Sequence, residues 1–95
     1  MKIRITASAY ADIEKAAEFY ARQSCGLGKS FQDSIFSDID SLQFYAGIHP
    51  KYYSRYRLLA HKFPYAIYYD ISADSVVVIA VLDCRREPEW IEGRL

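Results

Sequence analysis

The stretch VVVIAVLDCRREP, residues 76 to 88, places a continuous apolar run from Val76 to Leu82 shortly before two arginines. A strand that is apolar on both faces is typical of the interior of a sheet, where both faces are covered. We therefore expect this strand to be interior and rigid. Arg85 and Arg86 would then leave its end from a fixed position, which raises the question of what they bind.

The length of 95 residues and the hydrophobic content of 52% predict one folded domain spanning residues 1–95. No segment is long and apolar enough to cross a membrane, and the start MKIRITASAY lacks the apolar core of a signal peptide. These features predict a cytoplasmic protein without a membrane partner. Cys25 and Cys84 are too few for a disulfide framework, so we expect two reduced thiols.

The charges balance, with 12 basic and 12 acidic residues, so the whole chain exerts no net field that would attract nucleic acid. Their distribution is uneven, because no acidic residue lies between Ser41 and Tyr69. One face of the protein is therefore expected to be basic. The cations in that interval are Lys51, Arg55, Arg57 and Lys62.

The first half of the chain predicts a strand followed by two helices. Lys2 to Ile5 alternates polar and apolar residues, as a half-buried strand does. Ser8 is the expected cap of the first helix, which Gly26 and Gly28 should end near Cys25. Its expected buried stripe is Ile13, Ala16, Ala17 and Tyr20.

The second helix is expected to begin at a capping-box-like pair, Ser30 and Asp33, and to end around Gly47. A short connection predicts that the two helices form an antiparallel hairpin. The expected core face of this helix is Phe31, Ile35, Ile39 and Leu42.

After the linker IHPKYY, a period of two predicts three strands, Arg55 to Ala60, Pro64 to Ile71 and Ser75 to Cys84. The joints HKF and SAD are short enough for hairpins. The order β-α-α-β-β-β predicts an α+β fold, an antiparallel sheet with the helical hairpin packed on one face.

Arg57 is the first candidate for a binding residue. If Tyr56 and Leu58 face the helices, Arg57 lies on the other face of the sheet. It could then converge with Arg85 or Arg86 on one anionic group, since guanidinium binds phosphate and carboxylate in bidentate fashion. The alternative is an ion pair between Arg57 and Asp70 or Asp83.

Other residues allow weaker functional interpretations. Cys84 beside Arg85 could have a lowered thiol pKa and act as a nucleophile, but the pattern favours a small buried hydrophobe. Trp90 is expected to hold the C-terminal tail, with Pro88 starting a helical turn.

The chain has no phosphate-binding glycine loop, no Ser-His-Asp candidate and no zinc-ligand spacing, so we expect no cofactor, no metal and no conventional hydrolase. Tyr52, Tyr53 and Tyr56 could stack on bases or could pack within the fold.

The segments ASAYADIEKAAEFY, YRLLAHKFPYAIYY and VLDCRREP resemble the RelE/ParE family of type II toxin–antitoxin toxins, over nearly the whole chain. The resemblance implies a bacterial or archaeal stress or plasmid-maintenance module. It also implies that a small cognate antitoxin wraps and silences the toxin. One branch of the family cleaves messenger RNA on the ribosome, and another poisons DNA gyrase without cutting nucleic acid itself.

The residues of this chain match those of the ribonuclease branch only in part. Arg57 and Arg86 can stand for two of its basic residues, but Leu59 and Ala66 occupy the places of a second lysine and of an arginine. Since ribonuclease chemistry needs proton-transfer groups and cations around the phosphate, the resemblance favours the gyrase branch. A third hypothesis is a degenerate toxin that only binds antitoxin.

The resulting hypothesis is a growth-inhibiting, ParE-like toxin whose target is gyrase or, alternatively, the ribosome. Phe36 and Phe44 lie off the main stripe of the second helix and are predicted to contact the antitoxin. The predicted target-binding residues are Arg57, Arg85, Arg86 and Trp90.

Overall fold

The computed structural model describes all 95 residues as a five-stranded sheet in the order β1-β5-β4-β3-β2, covered by helices on both faces. The predicted α+β class and the order of the main elements are confirmed. The elements are β1 (Lys2–Ile5), α1 (Ala7–Gln23), α2 (Leu27–Asp40), α3 (Leu42–Tyr45), β2 (Lys51–Tyr52), β3 (Arg55–Leu59), β4 (Tyr65–Ser72), β5 (Ser75–Asp83) and α4 (Pro88–Arg94).

The sheet is mixed and not wholly antiparallel. β5 lies between β1 and β4, which confirms its expected interior position. It pairs in parallel with β1, from Lys2 beside Ser75 to Ile5 beside Val78, and antiparallel with β4. The linker IHPKYY also supplies the short edge strand β2, which the sequence analysis missed because two residues are too few for a period.

The N-cap of the first helix lies two residues before the predicted one. Thr6 is the N-cap, and its hydroxyl accepts a hydrogen bond from the Ala9 amide at 3.1 Å. Ser8 instead lies inside α1. Thr6 caps the helix in place of Ser8 because the Thr6 amide already pairs with the Val78 carbonyl of β5. This hydrogen bond fixes the position where the chain leaves the sheet.

The second helix differs from the prediction at both ends. It begins at Leu27 after Gly26, so Ser30 and Asp33 are interior and form no capping box. It stops at Asp40, and α3 follows after Ser41. Gly28, predicted to end α1, instead lets α2 approach it closely, since a Cβ at Gly28 would lie 2.6 Å from the Ala17 carbonyl oxygen.

Each face of the sheet has its own hydrophobic core. One core packs the predicted stripes of α1 and α2 against β4 and β5, through residues such as Ile67, Tyr69 and Val78, which confirms the helical hairpin on this face. The second core lies under α4, on the face of the sheet opposite the helical hairpin. Its buried members are Ala66, Tyr68, Ala80, Leu82 and Ile91, and Trp90 packs against them as expected.

A register shift in β5 decides which side chains reach each core. Tyr68 lies beside Ala80 and Tyr69 beside Val78, so Ile79 is an extra residue in the strand. Such a bulge inverts the alternation that follows it. Val81 therefore faces the helical hairpin and Leu82 faces α4.

Asp12 of α1 joins three elements at the point where β1 ends. Beyond that point the edge of β5 has no strand partner. Its carboxylate accepts a hydrogen bond from the Val81 amide at 3.1 Å and from the Arg94 guanidinium at 2.9 Å. The Arg94 guanidinium also donates to the Ser8 hydroxyl at 3.1 Å. This one carboxylate therefore satisfies a strand edge and holds α4 against α1.

We predict that Asp12→Ala destabilises the fold by about 2 kcal/mol, because it leaves the Val81 amide without an acceptor and Arg94 without a counter-charge. Urea unfolding measures the loss. The matched control is Asp33→Ala, which removes an exposed ion pair with Lys29 and should cost no more than about 0.5 kcal/mol. Equal losses in the two variants would show that the junction contributes nothing beyond an ordinary surface charge.

Candidate functional site

The turn that follows β5 is organised by Asp83. Its carboxylate accepts hydrogen bonds from the Arg85 amide at 2.8 Å and from the Arg85 side chain at 2.9 and 2.7 Å. The side-chain hydrogen bond from Arg85 is the largest cause of the lowered pKa of Asp83. Arg85 thus stays charged, and its position relative to the strand is fixed, although 63% of its side chain is exposed.

Arg86 makes a different contact from its neighbour. Its amide closes the turn on the Asp83 carbonyl at 3.2 Å, and its guanidinium lies 3.7 Å from the centre of the Trp90 ring. None of the ion pairs of the protein includes Arg86. Stacking on an aromatic ring leaves the edge N–H groups of a guanidinium free to donate to an incoming carboxylate or phosphate.

These residues form one wall of an open cleft of about 290 Å³ between α1, the end of β5 and α4. Its two acids are engaged internally, Asp12 by Arg94 and Asp83 by Arg85. Lys15 and Arg86 are therefore cations of the cleft without an internal counter-charge. The other side chains that line it include Phe19, Tyr65, Arg85 and Trp90.

The titratable groups near the cleft do not suit acid–base or nucleophilic chemistry at neutral pH. Burial, with a further contribution from Asp83, raises the pKa of Tyr65 to about 12. Desolvation also raises the pKa of the Cys84 thiol. The hypothesis of a reactive Cys84 with a lowered thiol pKa is therefore wrong, because desolvation outweighs the lowering effect of the Arg57 and Arg85 charges on this thiol.

Arg57 lies on the predicted face of the sheet but does not join the cleft. Tyr56 and Leu58 pack on the helical side, as expected. The Arg57 guanidinium lies 3.6 Å from the centre of the Tyr52 ring. The alternative ion pair with Asp70 or Asp83 does not form, because Asp70 pairs with Arg55 and Asp83 with Arg85.

The two predicted antitoxin contacts differ in exposure. Phe36 is half-buried, packs against the core under the helices and lies 6.3 Å from the Tyr10 ring. Phe44 on α3 is 80% exposed. It lies near other exposed apolar side chains in the chain, Tyr45 and Ile48.

Comparison with known proteins decides the family. The model of the ParE toxin of the type II toxin–antitoxin system parDE matches residues 3–88. The chain belongs to the ParE toxin family. A solved structure of the chromosomal ParDE toxin–antitoxin system from P. aeruginosa has the same fold, with a TM-score of 0.71 and 17% identity, over 85% of this chain and 92% of that one. No curated protein matches the chain.

This ParE-family toxin carries three cleft residues that sequence reasoning did not single out, Lys15, Phe19 and Arg94. Lys15 and Phe19 share a helical face with Asp12 and Ala16, so their spacing could have grouped them. Nothing in the sequence indicates that Arg94 reaches Asp12. No helix is long and apolar enough to span a membrane.

Proposed function

We propose that this ParE-family toxin inhibits DNA gyrase by binding it without chemistry of its own, in the cytoplasm, and that a cognate antitoxin neutralises it. One observation carries the choice of gyrase over messenger RNA. The sheet face on which the ribonuclease branch would carry its cations holds a closed apolar core. Ala66, at the place of one expected arginine, is fully buried within that core.

The remaining side chains on this face also favour a binding role. Leu59, at the place of a second lysine, is 54% exposed and has no group that could transfer a proton. Burial raises the pKa of Tyr68, so its phenol stays protonated at neutral pH. Cleavage of a phosphodiester would need a base and several cations around the phosphate.

The cleft beside β5 is the proposed contact with the target. Arginine and tryptophan are the residue types that most often dominate protein interfaces, especially when held in place before binding. Arg85 is held by Asp83, and Arg86 by the Trp90 ring. Both guanidinium groups are therefore positioned at little further cost in entropy.

The exposed apolar residues of α3 and the turn after it, Phe44, Tyr45 and Ile48, are the proposed contact with the antitoxin, together with Phe36 of α2. Exposed apolar side chains that follow each other in the chain commonly mark a protein partner. An amphipathic antitoxin segment over this region would bury on the order of 1,000 Å² or more in total.

Growth arrest tests the target-binding residues. We predict that Arg86→Ala abolishes growth arrest while changing the free energy of unfolding by no more than about 0.5 kcal/mol, because no ion pair is lost. Arg85→Ala should also abolish it and cost up to about 1 kcal/mol through the exposed pair with Asp83. Growth curves and thermal melts of each variant give the two readouts.

Two control variants bracket this test. Arg22→Ala removes an exposed arginine at the end of α1 and should leave growth arrest intact. Val78→Asp places an unpaired charge in the core and should unfold the domain. If both cleft variants instead lose several degrees of melting temperature, Arg85 and Arg86 are structural and the target site lies elsewhere.

Neutralisation tests the antitoxin surface. We predict that Phe44→Asp keeps growth arrest but escapes the antitoxin, since it places a charge within an apolar contact remote from the cleft. Co-expression at equal levels measures the escape. Gln23→Asp, which adds the same charge at the other end of the helical hairpin, should remain fully neutralised. Full neutralisation of Phe44→Asp would place the antitoxin elsewhere.

A further inference from the structure

The hairpin between β2 and β3 turns through two residues in a costly conformation. Tyr52 pairs with Arg55 across the turn, and the residues between them, Tyr53 and Ser54, have φ values of 55° and 69°. Such tight hairpins normally use Asn and Gly, because left-handed backbone costs other residues on the order of 1 kcal/mol or more each. The chain retains this strain at a turn that displays a half-exposed tyrosine.

Arg57 lies beside this turn and has no acidic partner within the fold. Its guanidinium stacks on Tyr52, but its Nε–H is buried and has no acceptor. Three other arginines are matched to acids, Arg55 to Asp70, Arg85 to Asp83 and Arg94 to Asp12, while the unpaired Arg86 lies over the Trp90 ring. A partly desolvated cation without a counter-charge is costly unless a ligand supplies one.

The surroundings of Arg57 fit a protein ligand. Its charge and its side-chain hydrogen bond to the Tyr68 phenol both oppose the rise in the pKa of Tyr68 that burial causes. The hairpin and β3 also present partly exposed side chains near it, on a surface rich in tyrosine. Tyrosine and arginine together are typical of the residues that dominate protein interfaces. The exposed members are Tyr52, Tyr53 and Leu59.

We propose that the β2–β3 hairpin is a second protein-binding surface, separate from the cleft, where Arg57 binds a carboxylate of an acidic segment and Tyr52 and Tyr53 pack beside it. A carboxylate of a protein suits the site better than the phosphates of a nucleic acid. Asp70 already neutralises Arg55, and Lys51 lies over the Tyr56 ring on the helical side of the sheet, so the Arg57 side offers one unpaired cation. A nucleic-acid backbone is held by several cations. The proposal does not depend on gyrase being the target.

Nuclear magnetic resonance of the labelled full-length toxin tests the proposal through the Arg57 Nε–H signal. The probes are a short peptide of alternating glutamate and leucine, its glutamine counterpart and a single-stranded oligothymidylate. The glutamate peptide should shift the Arg57 signal saturably, while the glutamine peptide and the oligothymidylate leave it unchanged. Arg57→Gln should weaken binding of the glutamate peptide about tenfold or more, as expected for a lost hydrogen bond between charged groups.

Arg22→Gln is the matched control and should bind the glutamate peptide as the wild type does. The proposal is wrong if the peptide shifts the signals of Arg85 and Arg86 but not that of Arg57. It is also wrong if oligothymidylate, and not the peptide, shifts Arg57, or if the signal never moves at millimolar peptide. Since none of these readouts involves growth arrest, a failure of gyrase inhibition would leave them unaffected.

Discussion

The rest of the structure depends on β5 being apolar on both faces. One face is covered by the helical hairpin that precedes the sheet, and β1 pairs along part of the edge. The other face can be covered only by the chain that follows, so α4 must fold back immediately after the strand. The sharp return after Asp83 is therefore a consequence of core burial, and it places Arg85 and Arg86 at a corner supported on both sides.

The arginines of the protein are held in place in two ways. Asp12, Asp70 and Asp83 each hold one arginine in place, and two of these pairs join residues far apart in the sequence. Arg86 and Arg57 rest on aromatic rings instead. A ring fixes the plane of a guanidinium without using its N–H groups, so these two arginines keep their capacity to bind an external anion. An arginine with free N–H groups, more than net charge, is therefore the feature that the two proposed binding surfaces share.

Sequence periodicity predicted what depends on local pattern: the helical stripes, the interior position of β5, and the faces of Tyr56, Leu58 and Arg57. It missed what depends on distant contacts. Because every residue from Val76 to Leu82 is apolar, no pattern reveals the bulge at Ile79. This bulge reverses which side chains at the end of the strand face each core. Gly28 was predicted to end the first helix, but its role is to let α2 pack closely against Ala17. The partnership of Asp12 with Arg94 lies outside any local rule, so the α1 side of the cleft was not predicted.

We propose that this ParE-family toxin acts on gyrase through the corner after β5, as a binder and not as a nuclease. Supercoiling of relaxed plasmid by purified DNA gyrase tests it most directly, with programmed ribosomes assayed in parallel. We expect that the wild-type protein blocks supercoiling, that Arg86→Ala does not, and that messenger RNA stays intact. Unaffected supercoiling together with codon-linked cleavage of messenger RNA in the ribosomal A site would contradict it.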